Sequence, residues 1–264
     1  MSAISVRNQY SDLYGSNMLP VLEKIFRSEL ALHPSRREML FNMVTTDRDI
    51  YQQTALHDLP LFSEVPENTD YSYQRSKQGA SKTLTITKYG LGFSISQEAV
   101  DDGKFNWLAM LTKKLARSAK ESQEIQAMNV FNNGFSSSET TADGQPLLDA
   151  AHTLPSGGTF RNELSVAADL SQSSLSTALS DFEQVFVGDS GIIMNIKPKI
   201  LLVHPDNKRY AKELVGSDLK PDTAENNMNA FKEDGLVVVS SPHLTDADAW
   251  FLLAAPADAL GDLP

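Results

Sequence analysis

The residues that could carry chemistry are few and far apart. Gly188-Asp189-Ser190-Gly191 sets a serine between an aspartate and a glycine, as a nucleophilic serine loop does, and Thr54-Ala55-Leu56-His57 offers a histidine. A serine–histidine–aspartate relay needs the three groups to converge on one cleft beside an oxyanion hole. The surroundings argue against it. Ile192-Ile193 stand where such a loop continues with glycine and proline, and the histidine falls in a polar stretch before a hairpin. A turn between a helix and a strand accounts for Asp189, Ser190 and Gly191 without chemistry. A serine hydrolase using Ser190 therefore stays only as the catalytic alternative; no catalytic residue is assigned, and the chain reads as a non-enzyme.

Metal and cofactor chemistry fares no better. The histidines, His33, His57, His152, His204 and His243, form no close pair. Asp143, Asp149 and His152 share one loop and Asp246 lies near Asp248, but neither group has the glycine and glutamate spacing of a calcium loop. These read as surface loop acids. There is no cysteine, which removes disulfides, thiolate zinc sites and thiol nucleophiles. No GxGxxG, Walker or HExxH string is present. The expected metal and cofactor content is none.

What remains is a scaffold. Of 264 residues, 41% are hydrophobic and 22% charged, enough apolar surface for a sizeable core. Met18–Leu32 predicts a helix with Leu19, Leu22, Ile25, Phe26 and Leu30 on one stripe, ended by His33-Pro34. Arg36–Thr45 predicts a second short helix, and Asp47–Leu61 has no clear period. In residues 62–100, Tyr71 and Tyr73 alternate with polar residues, and Lys82–Ser96 alternates for longer through Leu84, Ile86, Tyr89, Leu91, Phe93 and Ile95. The phase slips at Lys88-Tyr89-Gly90, which predicts a bulge or twist. With Ser76–Ser81 as a polar tip, this segment predicts a long β-hairpin whose second arm reaches ~50 Å. A two-stranded ribbon of that length is marginal alone, so a neighbouring copy is the economical cover. Arg75, Lys77, Gln78 and Lys82 are its candidate contact residues.

Lys104–Asn133 lacks proline and glycine and predicts the longest helix, capped by Asp101-Asp102-Gly103 and stopped at Gly134. Its expected apolar stripe is Trp107, Leu111, Leu115 and Ala119, then Ile125, Met128 and Phe131. Lys113, Lys114, Arg117 and Lys120 read as a solvated face. Residues 134–168 are loop-like. The last hundred residues read as α/β. Ser171 caps a helix through Leu175, Ala178, Leu179, Phe182, Val185 and Phe186, and Pro205 opens a second helix to Val215. Strands are expected at Lys199–Val203, Leu236–Val239 and Trp250–Ala254. Between them the polar segment Gly216–Asp234 carries Met228 and Phe231, expected to pack where copies of the chain meet.

The net charge of −11 is uneven: residues 1–138 hold 15 basic and 15 acidic groups, residues 139–264 hold 8 and 19. An acidic second half repels phosphate, which excludes sequence-reading of nucleic acid. No stretch approaches the ~18 apolar residues of a membrane span, and Met1–Tyr10 does not read as a signal peptide.

Several strings then stand out together. These are Val130-Phe131-Asn132-Asn133-Gly134-Phe135, Asp143-Gly144 through Leu147 with Ala151-His152 and Pro155, and Pro198-Lys199-Ile200-Leu201-Leu202-Val203-His204-Pro205. Thr223-Ala224-Glu225-Asn226-Asn227 and Leu244–Leu252 complete the set. In these strings, and in the order hairpin, long helix, loop and α/β segment, the chain resembles major capsid proteins of tailed bacteriophages with the Hong Kong 97-type fold. The resemblance implies an α+β fold with an N-terminal arm (1–61), an extended β-hairpin loop (62–100), a peripheral domain with a spine helix at 104–133 (101–168) and an axial domain (169–264). Family members continue past the Trp-Phe-Leu strand with a returning segment, which here reads as short or missing. The resemblance also implies self-assembly into hexamers and pentamers of an icosahedral head enclosing double-stranded DNA. It implies scaffolding, portal and decoration proteins as partners, no membrane, and a virion location after assembly in the host bacterial cytoplasm. An encapsulin-like compartment shell is the related alternative.

Overall fold

Leu201 and Leu202 are neighbours in sequence, both fully buried, and belong to different cores. This follows from the strand that carries them, where successive side chains point to opposite faces. The computed structural model describes residues 19–254 apart from 34, 57–58, 60, 74–77, 95, 97, 99–104, 155–156, 189–191, 195 and 220–227. In chain order the elements are α1 (Leu19–Leu32), α2 (Arg37–Leu40), β1 (Ile50–Leu56), β2 (Gln78–Thr85), α3 (Phe105–Asn132), β3 (His152–Thr153) and β4 (Thr159–Phe160). They continue with α4 (Gln172–Gln184), β5 (Pro198–Val203), α5 (Lys208–Gly216), β6 (Val237–Ser240) and β7 (Trp250–Ala254). Among the described residues no helix is long and apolar enough to cross a membrane.

The chain divides into two compact units, Met1–Ser35 with Thr87–Gln126, and Arg36–Ile86 with Ala127–Pro264. The first is helical. In α1 the half-buried residues include Leu22, Ile25, Phe26 and Leu30, the predicted stripe. In α3 the buried row is Leu108, Thr112 and Ala116, at steps of four. The expected row is therefore one residue out of register: Trp107 is exposed, and Leu111, Leu115 and Ala119 sit half-buried at the edge. Thr112 is tolerated in the buried row because its hydroxyl donates to the Leu108 carbonyl at 3.0 Å. Near the end of this unit Glu124 is buried and accepts from the Ser35 hydroxyl at 2.9 Å.

The second unit is built on a three-stranded sheet ordered β6-β5-β7, with β6 parallel and β7 antiparallel to the central β5. Ile200 and Leu202 enter one core with Leu40, Met128, Phe131, Val239, Leu244 and Phe251. Leu201 and Val203 enter the other, with Leu170, Leu175, Ala211, Leu214, Val215 and Leu236. Both faces of β5 are thus covered by helices, as a continuous apolar strand requires. Each fully buried leucine contributes about 1.5–3 kcal/mol of transfer free energy. Ser171 caps α4, accepting from the Ser174 amide at 3.1 Å while the Ser174 hydroxyl accepts from the Ser171 amide at 2.8 Å.

Two further expectations change. The short helix predicted over Arg36–Thr45 is only the turn Arg37–Leu40, because Phe41 is already extended and Leu40 is held in the core. The hairpin has different arms. β1 comes from the stretch without a period, and Tyr71, Tyr73 and Tyr89–Phe93 lie in no strand. Gln78–Ser81, expected at the tip, are paired strand residues opposite Leu56–Thr54. The cause is exposure: Ile50, Leu84 and Ile86 are each about half exposed, so burial does not impose a readable alternation on this ribbon.

Candidate assembly interface

The ribbon forms because Ile50–Leu56 and Gln78–Thr85 supply β-branched and aromatic residues at facing positions. The antiparallel register runs from Ile50↔Thr85 to Thr54↔Ser81, then slips before Leu56↔Gln78. Tyr51, Leu84 and Ile86 lie on one face with Gln53 and Lys82, by the period-two rule. Lys82 is half-buried, and its ammonium donates to the Thr140 carbonyl. It therefore ties the second arm of the ribbon to the loop that follows α3. Gln78 is exposed at the bulged end. Arg75 and Lys77 lie outside the described residues.

The loop after α3 has more order than its composition suggests. Asn132 acts as a side-chain strand at the helix end. Its amide donates to the His243 carbonyl at 2.9 Å and its oxygen accepts from the Thr245 amide at 3.1 Å. At Gly134 an added Cβ would stand 3.1 Å from both Leu148 Cδ1 and the Phe131 carbonyl. Space, rather than a left-handed turn, explains this glycine. Beyond it, Thr140 and Pro146 form a bridge, with Gly144 at φ 85° in the turn between them.

Asp143 organises this turn. Its carboxylate accepts from the Thr141 hydroxyl, from the Gln145 amide at 3.1 Å and from the Thr153 amide at 3.3 Å. His152 Nδ1 lies 2.8 Å from it, and the imidazole stacks on Phe160 with centroids 5.1 Å apart. Burial pushes the Asp143 carboxyl up, but the bonds from Thr141, His152 and Gln145 outweigh it and hold it down at about 2. An ionised carboxylate only accepts, so Nδ1 carries the imidazole proton. Asp143 and His152 read in sequence as surface loop residues, yet His152 is buried. The Asp-Gly turn signal at 143–144 was the one available hint that the chain doubles back here.

In the segment after α5, Asn229 is the organising residue. Fully buried, it donates to the Leu214 carbonyl at 2.6 Å and the Ser217 carbonyl at 3.0 Å, and accepts from the Phe231 amide at 3.3 Å. Leu219 and Met228 form a bridge beside it, and Lys232 pairs with Asp218. Met228 is 67% exposed and available to a partner. Phe231 differs from expectation: it already packs on its own chain's core beside Leu214 and Leu236. The Asp234 carboxyl is raised by burial and by the charges of Glu183 and Glu233, against the opposing pull of Lys197.

Ser190, Asp189 and His57, the residues of the catalytic alternative, lie outside the described residues; on either side of the first two, Val187 and Ile193 bridge and the Gly188 amide donates to the Ile192 carbonyl at 2.8 Å. Among the described residues no three histidine or acidic side chains gather as a metal site.

The family described as phage capsid protein matches residues 79–263 of the chain. Among solved structures, the bacteriophage JBD30 capsid aligns with a TM-score of 0.65 at 14% identity, over 83% of this chain and 94% of that one. The JBD30 procapsid aligns at 0.61 and 13% identity, over 92% and 100% of the two chains. The JBD30 capsid decorated with minor capsid protein trimers aligns at 0.62 and 13%, over 81% and 92%. A comparison with curated proteins finds no match.

Proposed function

This chain belongs to the phage capsid protein family, and we propose on that premise how it builds a shell. It is a structural major capsid protein of a phage head and resides in the virion, with the Hong Kong 97-type fold class. In the proposed assembly, copies group into hexamers and pentamers of an icosahedral shell around double-stranded DNA, and the subunit performs no catalysis. Residues 1–61 serve as arm, 62–100 as extended loop, 101–168 as peripheral domain and 169–264 as axial domain, except that β1 of the ribbon is drawn from the arm segment. Scaffolding, portal and decoration proteins are the expected partners; the JBD30 shell decorated with minor capsid protein trimers supports the last of these.

One observation carries this reading: the β1–β2 ribbon keeps Ile50, Leu84 and Ile86 about half exposed. A two-stranded ribbon is marginal in water until something covers it. A second copy of the chain supplies that cover, and Gln78, Lys82 and exposed Met228 are proposed contacts, with Arg75 and Lys77 beside them. Negative-stain microscopy of the purified protein tests this. Closed shells are expected; a small soluble oligomer at every concentration and salt would overturn it. Nucleic acid rather than protein cargo inside those shells separates a phage head from a storage compartment.

A further inference from the structure

The spine helix α3 carries a feature that neither packing nor the ribbon uses. From Phe105 to Lys120 it holds four cations, Lys113, Lys114, Arg117 and Lys120, and no carboxylate. At 100° per residue these four fall within an arc of about 120°. That arc is centred about 140° around the helix from the buried row Leu108, Thr112 and Ala116, with Lys120 at its edge nearest that row. Lys113, Lys114 and Arg117 are exposed and Lys120 half-exposed, and none forms an ion pair with a described residue. The first carboxylate beyond them is Glu121. A cation-only face of this length runs against a chain whose net charge is −11.

We propose that this face of α3 rests on the phosphate backbone of the DNA enclosed by the shell. The proposal depends on the shell reading above and names the surface that meets the genome. The row extends ~10 Å along the helix axis, over which a duplex presents about six phosphates. The competing occupant is an acidic patch on another copy. Some acids of the second half are met within their own chain, Asp181 by Arg161, Asp218 by Lys232 and Asp143 by His152, whereas a duplex presents an unbroken row of charges, one per ~1.7 Å of its axis. A duplex therefore offers the stronger complement. Three or four phosphate contacts per copy are individually weak and salt-labile. An otherwise acidic wall with discrete cationic rows would hold a packed genome at defined places and still let it leave.

The test compares amine-reactive labelling of Lys113 and Lys114 in free subunits, empty shells and DNA-filled heads, read by peptide mass spectrometry. Both lysines should react in subunits and empty shells and be protected in filled heads. Free subunits should also bind a ~30-base-pair duplex with an affinity that falls about 40-fold between ~50 and ~200 mM salt. The combined substitution K113Q/K114Q/R117Q should abolish that binding, while K113R/K114R retains it. Protection already present in empty shells would make the row a contact between copies and overturn the proposal. Equal labelling in empty and filled heads would make it a solvated face and overturn it too. Absence of any particle would instead defeat the shell reading on which the proposal stands.

Discussion

His152 donates through Nδ1 to Asp143 Oδ2 at 2.8 Å, so a buried imidazole closes the turn that follows the spine helix. Asp143→Asn removes the charge that gathers His152, Thr141 and two backbone amides. A loss of about 1–3 kcal/mol is expected. The folded-state pKa is depressed, so this stabilisation is complete above the ordinary value of 3.8 and is lost as pH falls through about 2. Urea unfolding of subunits from neutral to acid pH measures it. The variant should lack the wild-type decline in that acid window; matching slopes would contradict the assignment.

Asp234 has the opposite sign. Its pKa is raised, first by burial and then by Glu183, so the stabilisation is present below the ordinary carboxylate value and lost as pH rises through the raised one. Asp234→Asn should stabilise the subunit at neutral pH by ~0.5 kcal/mol or less, since the group is largely solvated. A destabilised variant would mean that Lys197, rather than Glu183, dominates its surroundings.

Gly134→Ala sets a methyl 3.1 Å from the Phe131 carbonyl and from Leu148 Cδ1. Leu148 can turn aside, but the carbonyl belongs to the helix end. Thermal unfolding should show a loss of roughly 1–3 kcal/mol from overpacking. An unchanged midpoint would show that the helix end relaxes freely.

Leu201→Ala and Leu202→Ala empty different cores. Each should cost about 2–5 kcal/mol in denaturant unfolding. A cost below about 1 kcal/mol at either position would mean that its core collapses around the cavity.

Leu84→Lys separates folding from assembly. Leu84 is 52% exposed in the subunit, so its stability should change by no more than about 0.5 kcal/mol. Sedimentation should nevertheless show subunits in place of shells, because a charge would enter the covered face of the ribbon. Normal shells from this variant would place the contact elsewhere.

The parts of the fold that the sequence disclosed are those where burial imposes a period. β5 and β7 appear almost at their predicted bounds, and Ser171 caps its helix as read. The spine helix is legible in length and in the later part of its stripe, where Met128 and Phe131 are buried, but the first part is displaced by one residue, since Leu111 and Thr112 lie on adjacent rows and the hydroxyl of Thr112 hides its role. β1 was missed because an exposed strand carries no alternation imposed by burial. Of the candidate contacts, Lys82 reads as a surface charge in sequence yet reaches back to Thr140. Asn132, Asn229 and His152 work through hydrogen bonds to residues distant in sequence, and such bonds leave no periodic trace.

The position of β5 also sets a timetable. Its two neighbours in the sheet are both made later, and the second is finished only at Ala254. At roughly 5–20 residues per second, the chain between Val203 and Ala254 takes about 3–10 s to synthesise. Throughout that interval Ile-Leu-Leu-Val is an apolar strand with an open edge, the kind of segment that joins other chains when left waiting. A head needs many copies made at once in a small volume. The rate of translation across this stretch, and the supply of chaperones that shield it, would then govern how much newly made protein reaches the assembly-competent state.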